Sequence, residues 1–544
     1  MHACLAVPEL LSTIFNHICA IHDDDDEYRE TEDQDGDETG NPRAFEVDRN
    51  TLAALARTCR AFAEPAHDAL WYHQATLGPL VRVMPLDLWR VVEETPGRHS
   101  VTFVRGLEAT DWGRFDYYAR KVRTLGYVWP RTGLGIHMDA MIMLASYRPV
   151  HSLLPNLRRF AFSTSSPCHP DTQTALLFAQ CLLNSNVVDV DLTLAGTDAG
   201  IPVFISDIRR TCPRIEVLKV RWHEYEYTAE NEVIDALNEL MSSLSYLRKL
   251  DLDPTHCDAP LHISALPVLE YLSLGWLCFD SEIVQELQER TSLEVIFPGL
   301  RRFTFSATSW EDATAKINLI QNPLTSLVVS ILPDFRNRHL DLYPSPLHAI
   351  QFNNFMHALT RHPCRTSLVH LSLTEDPWPR DHGGMFTSDP PDLNVLCQLQ
   401  GIEVLTLRMP FAKVIDNGWL ENAAAGWPRL RRLTILNRTE TTLEGLAPLV
   451  RRCPSLKDIS IGTVLKPFDI QRLEPSAGNM HIDMIDFTTV SRIERETLGV
   501  SKCLLRMFPR LREVYGGGQA DRSTWDDLQE HLDIYADEHP LASV

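Results

Sequence analysis

Cys453-Pro454-Ser455-Leu456-Lys457-Asp458-Ile459-Ser460-Ile461 is the stretch that decides how this chain folds. Its apolar residues fall in the order apolar-x-x-apolar-x-apolar, and the closing alternation is that of a short strand with one face covered. Pro454 cannot continue a helix and fixes its own φ at about −65°. Immediately upstream, residues 443–452 carry apolar side chains at helical spacing. Helix, proline turn and strand therefore follow one another within a single short unit.

Working outward, the same strand pattern recurs from Leu157, Val187, Ile215, Leu247, Leu269, Leu300, Leu324, Leu368, Ile402, Leu430, Leu456, Ile482 and, more loosely, Leu511. The mean step is about 30 residues, close to the roughly 20 to 29 of a leucine-rich repeat. Pro155, Pro213, Pro267, Pro298, Pro428, Pro454 and Pro509 each stand two residues ahead of the first apolar position. Further helical stretches at 174–183, 232–244, 281–289 and 498–507 allow one helix per strand. One helix and one strand cannot cover their own apolar faces, so successive units must stack. The expected fold is α/β: an irregular leucine-rich-repeat-like solenoid over 121–520, with parallel strands on the concave side and helices outside. A helical linker at 76–120 is expected before it and a helix or tail at 521–544 after it. The long step from Leu324 to Leu368 holds Pro333, Pro344 and Pro346, which predicts a loop leaving the stack.

Strand residues between the buried apolar positions face solvent. By that phase Arg159, Arg221, Tyr271, Arg302, His370, Arg408 and Arg432 are candidate contacts to a partner protein, which the sequence does not name. The other reading is that they only solvate exposed strand faces.

The first residues follow a different rule. Val7-Pro8-Glu9-Leu10-Leu11 with Ile14-Phe15 and Ile18 places apolar side chains on one helical face, with Pro8 suited to a first turn. Leu52, Leu55, Ala56, Cys59 and Phe62 form a second such stripe, and Pro65 opens a third short helix ending at Trp71. So few residues cannot enclose their own apolar surface. This stretch, 1–75, resembles the F-box, whose pattern opens Leu-Pro-x-Glu-apolar-apolar-x-x-Ile-Phe and closes apolar-x-x-apolar-x-x-Cys-Arg-x-Phe. With its Arg-Ala-Phe-Ala-Glu-Pro-Ala tail it is similar to the F-box proteins abundant in mushroom-forming fungi. It departs in Val7, where leucine is usual, and in an acidic insert at 23–42 between the halves. The resemblance implies that Pro8, Leu11, Ile14, Phe15, Cys59 and Phe62 dock on a Skp-family adaptor, and through it on a cullin ubiquitin ligase. Helices that merely cap a repeat array are the alternative.

Composition excludes several classes. The 544 residues carry a formal charge of −22, which disfavours nucleic acid and anionic lipid as partners. The run from Asp23 to Glu38 holds eleven carboxylates against Arg29 and too few apolar residues to order itself. No run approaches the roughly 20 apolar residues a membrane helix needs. Twelve cysteines without a C-x-x-C pair suggest packed reduced thiols, hence a cytoplasmic or nuclear chain. There is no G-x-x-x-x-G-K-S/T, H-E-x-x-H or G-x-S-x-G, so no catalytic residue, cofactor or metal is expected.

Overall fold

Two residues after each of the thirteen apolar openings a strand begins, from Arg159, Asp189, Val217, Lys249, Tyr271, Arg302, Ser326, His370, Val404, Arg432, Asp458, Met484 and Glu513. The computed structural model of the chain describes residues 7, 10–11, 13–15, 49–95, 97–127, 134–147, 152–164, 172–194, 199–222, 231–252, 258–275, 279–291, 295–332, 347–375, 392–409, 415–436, 439, 441–468, 478–487, 492–493, 497–516 and 522–538. The acidic insert 23–42, Pro8 and the segment holding Pro333, Pro344 and Pro346 lie outside them.

The proline phasing has a direct cause. In five of the proline-phased units the opening apolar residue donates its N–H to the carbonyl three residues back: Leu157 to Leu154, Leu300 to Phe297, Leu430 to Trp427 and Leu456 to Cys453 at 3.1 Å, and Leu511 to Phe508 at 3.0 Å. Each proline is thereby the second residue of a four-residue turn, the position its locked φ favours. Stacked turns are then tied side chain to backbone. Asn184 Nδ2 donates to the Leu154 carbonyl at 3.0 Å, while the thiols of Cys212 and Cys453 reach the carbonyls of Asn184 and Trp427 at 3.4 Å. Asn322 donates likewise to the Phe297 carbonyl.

The chain divides into two compact units, Met1–Leu247 and Arg248–Val544. In the first, strands His73–Gln74, Thr124–Tyr127, Arg159–Ser163, Asp189–Leu194 and Val217–Trp222 pair in parallel, with Thr124, Arg159, Asp189 and Val217 in register. In the second, parallel pairing runs strand by strand from Lys249–Leu252 to Glu513–Gly516, with Lys249, Tyr271, Arg302, Ser326, His370, Val404, Arg432 and Asp458 aligned as one row. Each unit is thus a stretch of leucine-rich-repeat-like α/β solenoid. Alternate residues point inward: in Arg302–Ala307 these are Phe303, Phe305 and Ala307, all essentially without solvent contact. Helices cover that side. Asn231–Ser243 buries Val233, Ala236, Leu237, Leu240 and Met241, the spacing of a single helical stripe. Trp310–Leu319 starts where Ser309 accepts from the Asp312 N–H at 3.1 Å.

Three expectations need correction. The stretch 76–120 is not simply helical: Trp89–Thr95 and Arg98–Phe103 pair antiparallel, and Leu134–Ile136 joins them in parallel. Gly97, at φ 80°, supplies the left-handed residue this hairpin turns on. Repeat strands also begin earlier than 121, at His73, and the unit opening at Val122 escapes a pattern search because Gly126 and Tyr127 stand in its strand. A division at 247 and 248 falls inside the expected solenoid, which is natural where each repeat touches only its neighbours. At the far end Arg522–Glu538 buries Trp525, Leu528 and Leu532, and Trp525 lies 6.0 Å from the ring of Phe487. That helix covers the last apolar layer of its unit.

Candidate functional site

Two surfaces carry the residues singled out by sequence, and each is built locally. In the N-terminal module, helix Arg49–Thr58 ends at Cys59, whose backbone is extended and whose carbonyl accepts from the N–H groups of Phe62 and Ala63 at 3.1 and 3.2 Å. The next helix, Arg60–Tyr72, therefore starts before Pro65, which lies inside it and does not open it. Leu11, Phe15, Leu52, Ala66 and Ala69 form a closed core, with Leu55, Ala56, Phe62 and Leu70 packed around it. Phe15 meets Phe62 edge to face at 5.8 Å.

Of the six residues that the F-box resemblance marks, Pro8 lies outside the described residues and the other five part company. Leu11 and Phe15 hold the module together, at 2% and 3% exposure, and Cys59 and Phe62 are half-buried. Ile14 faces out at 45%, beside Leu10 at 47% and Val7 at 39%. Leu10 and Val7 are exposed apolar residues that sequence reasoning did not single out. The helix Arg60–Tyr72 is anchored on its other side. Lys121 bridges Glu64 and Asp68, the Tyr117 hydroxyl donates to Glu64 at 2.8 Å, and Trp71 stacks on Tyr118 at 4.5 Å. Hydrogen bonds from Lys121 and then Tyr117 hold the Glu64 carboxyl below the usual range, against the opposing effect of burial.

The second surface is the outward face of the strands. In the first unit its charges are paired across strands. Arg159 Nε lies 2.6 Å from Asp189 Oδ2 and Arg221 Nη1 lies 3.8 Å from Asp191 Oδ1. In the second unit Tyr271, Arg302, His370 and Arg432 occupy the first position of their strands, and Arg408 the fifth of its own. The Arg302 guanidinium sits over the Tyr271 ring at 5.0 Å. His370 Nδ1 is 3.0 Å from Ser326 Oγ, and Arg432 Nε is 3.2 Å from Asp458 Oδ2. Burial, then the positive fields of Arg432 and Arg302, press the His370 ring down to about 4, so it is neutral at pH 7.

No family model matches the sequence, and no curated protein matches it. Among solved structures, the leucine-rich repeat-containing protein LegL7 from Legionella pneumophila is similar at 13% identity with a TM-score of 0.32, covering 70% of this chain and 98% of that one. At that score the likeness carries no argument; the fold reading rests on the strand ladder itself.

Among the described residues no group of three or more His, Cys, Asp or Glu side chains could hold a metal ion, and no helix is long and apolar enough to cross a membrane. Burial pushes the thiols of Cys212 and Cys364 up to about 12 and those of Cys397 and Cys453 to about 11, so they are packing groups and not nucleophiles. The two surfaces that stand out among the described residues are an apolar patch on a small helical module and a polar strand face.

Proposed function

We propose that this chain is a substrate-recognition adaptor of a Skp-cullin-F-box ubiquitin ligase. The N-terminal helices bind a Skp-type adaptor, and the repeat surface holds a target protein. The observation that carries this reading is the patch of Val7, Leu10 and Ile14, left outside a module whose own core is already closed by Leu11, Phe15 and Leu52. With 39 to 47% of each side chain still exposed, covering them by a partner gains roughly 1 kcal/mol each. Leucine-rich-repeat scaffolds serve binding, and the ubiquitin chemistry belongs in this reading to other subunits.

Leu10→Asp combined with Ile14→Asp tests it. Both positions are exposed, so the module's core is spared, whereas aspartate at Phe15 would unfold it. The reading expects co-purification with a Skp-type adaptor by the wild-type chain and its loss in the variant. Failure of the wild-type chain to bind would leave a repeat scaffold without a ligase role, its helices a cap.

A further inference from the structure

The outward face of five consecutive strands in the second unit has a composition at odds with the chain that carries it. Across Arg302–Ala307, Ser326–Ile331, His370–Glu375, Val404–Arg408 and Arg432–Ile435, the outward positions hold Arg302, Arg408, Arg432 and His370 among serines, threonines and two valines. No carboxylate stands there, although the whole chain carries −22. Glu375, the one acidic residue in these strands, is turned inward, 3% exposed, and accepts from Trp310 Nε1 at 3.2 Å.

The strip has relief as well as charge. Register aligns Thr304, Val328, Ser372, Thr406 and Thr434 as one row of small side chains, a closely packed floor in which Val328, Ser372 and Thr434 are buried and Thr304 and Thr406 half-buried. The larger Arg302, His370 and Arg432 border it on one side, and Arg408 stands on the other. Arg302 is steadied by the Tyr271 ring and His370 by Ser326, so the border is ordered before anything binds. Five strands at about 4.8 Å spacing span roughly 19 Å, the length of about six extended residues. Carboxylates resume at both margins, with Asp251 two strands before Thr304 on one side and Asp458, paired to Arg432, and Asp486 on the other. A long polyanion would meet those acids, whereas a short one fits between them.

We propose that this trough is the target-recognition site and that it takes an extended acidic segment of the partner protein, its carboxylates against Arg302, Arg408 and Arg432 and the half-exposed hydroxyls of Thr304 and Thr406. This rests on the adaptor reading only for calling the partner a target; the site itself does not need the helical module.

The test uses the full chain and a fluorescein-labelled hexaglutamate peptide, with hexaglutamine and a short oligo-thymidine as competitors. Wild-type chain binds hexaglutamate, more weakly as salt rises. Arg302→Gln with Arg432→Gln weakens binding at least tenfold, while Arg451→Gln with Lys457→Gln, outside the strip, leaves it unchanged. Should the first pair fail to fold, Thr304→Glu with Thr406→Glu, which adds repelling charge at half-exposed positions, gives the same loss. Absence of hexaglutamate binding, equal binding of hexaglutamine, equal loss in the outside pair, or preference for the oligonucleotide each overturns the proposal. Adaptor co-purification is read from the same preparations, so a wild-type chain that retains the adaptor but does not bind hexaglutamate condemns the trough alone.

Discussion

Cys453 Sγ donates to the Trp427 carbonyl at 3.4 Å, and both residues open equivalent turns of successive repeats. Asn184 and Leu154 repeat that relationship through an amide at 3.0 Å. The stack is therefore held at its turns by side chains that satisfy a carbonyl of the unit before, in addition to the strand ladder. Asn184→Ala removes one of the two hydrogen bonds on the Leu154 carbonyl, which keeps the Leu157 N–H, and is expected to cost about 0.5 to 1.5 kcal/mol. Cys453→Ala, losing a weaker donor, costs less than Asn184→Ala. Urea denaturation of both variants checks the order, and the reverse order would show that thiol packing outweighs the bond.

Gly299 is held by the same close stacking. A Cβ there would lie 2.3 Å from the Pro267 carbonyl oxygen, which is backbone and cannot swing away. Gly299→Ala is expected to destabilise by about 1 to 3 kcal/mol, the usual range for overpacking, while Gly113→Ala, with open space at its Cβ, stays near neutral. Thermal melts of the two single variants decide it.

His370 makes the fold sensitive to acid. Its folded pKa, about 4, lies below the ordinary value of 6.5 because of burial and then of Arg432 and Arg302. The unfolded chain thus takes up the proton first, so the stability tied to the neutral ring is complete above about pH 6.5 and drains as pH falls toward 4. Proton NMR of the ring should show no titration between pH 6 and 7. Arg432→Gln should move the midpoint upward without restoring it to 6.5, because burial remains. A wild-type midpoint at 6.5 would contradict the packing described.

Much of this was legible in the letters. Thirteen apolar openings, from Leu157 to Leu511, each lead into a strand two residues later, because inward aliphatics repeat wherever a stacked layer must be filled. Proline was readable since its fixed φ suits one turn position. The hairpin around Gly97 was not: Val91 and Val92 are adjacent, so the strand shows no clean alternation, and only the antiparallel partner reveals the pairing. For the candidate sites the strand phase placed Tyr271, Arg302, His370 and Arg432 on one row, but not who neighbours whom. Pairing of Arg159 with Asp189 and of Arg432 with Asp458 depends on register across repeats of unequal length. A motif likewise gives residue types and not direction, so Phe15 and Ile14 read alike although one is core and the other surface.

Hydrogen–deuterium exchange of the full chain with and without a purified Skp-type adaptor tests the central claim most directly. The account predicts slowed exchange in residues 7–15 and across the helices Arg49–Thr58 and Arg60–Tyr72, with the repeat strands unchanged. Unaltered exchange throughout that module at saturating adaptor, or protection confined to the strand face, would contradict it.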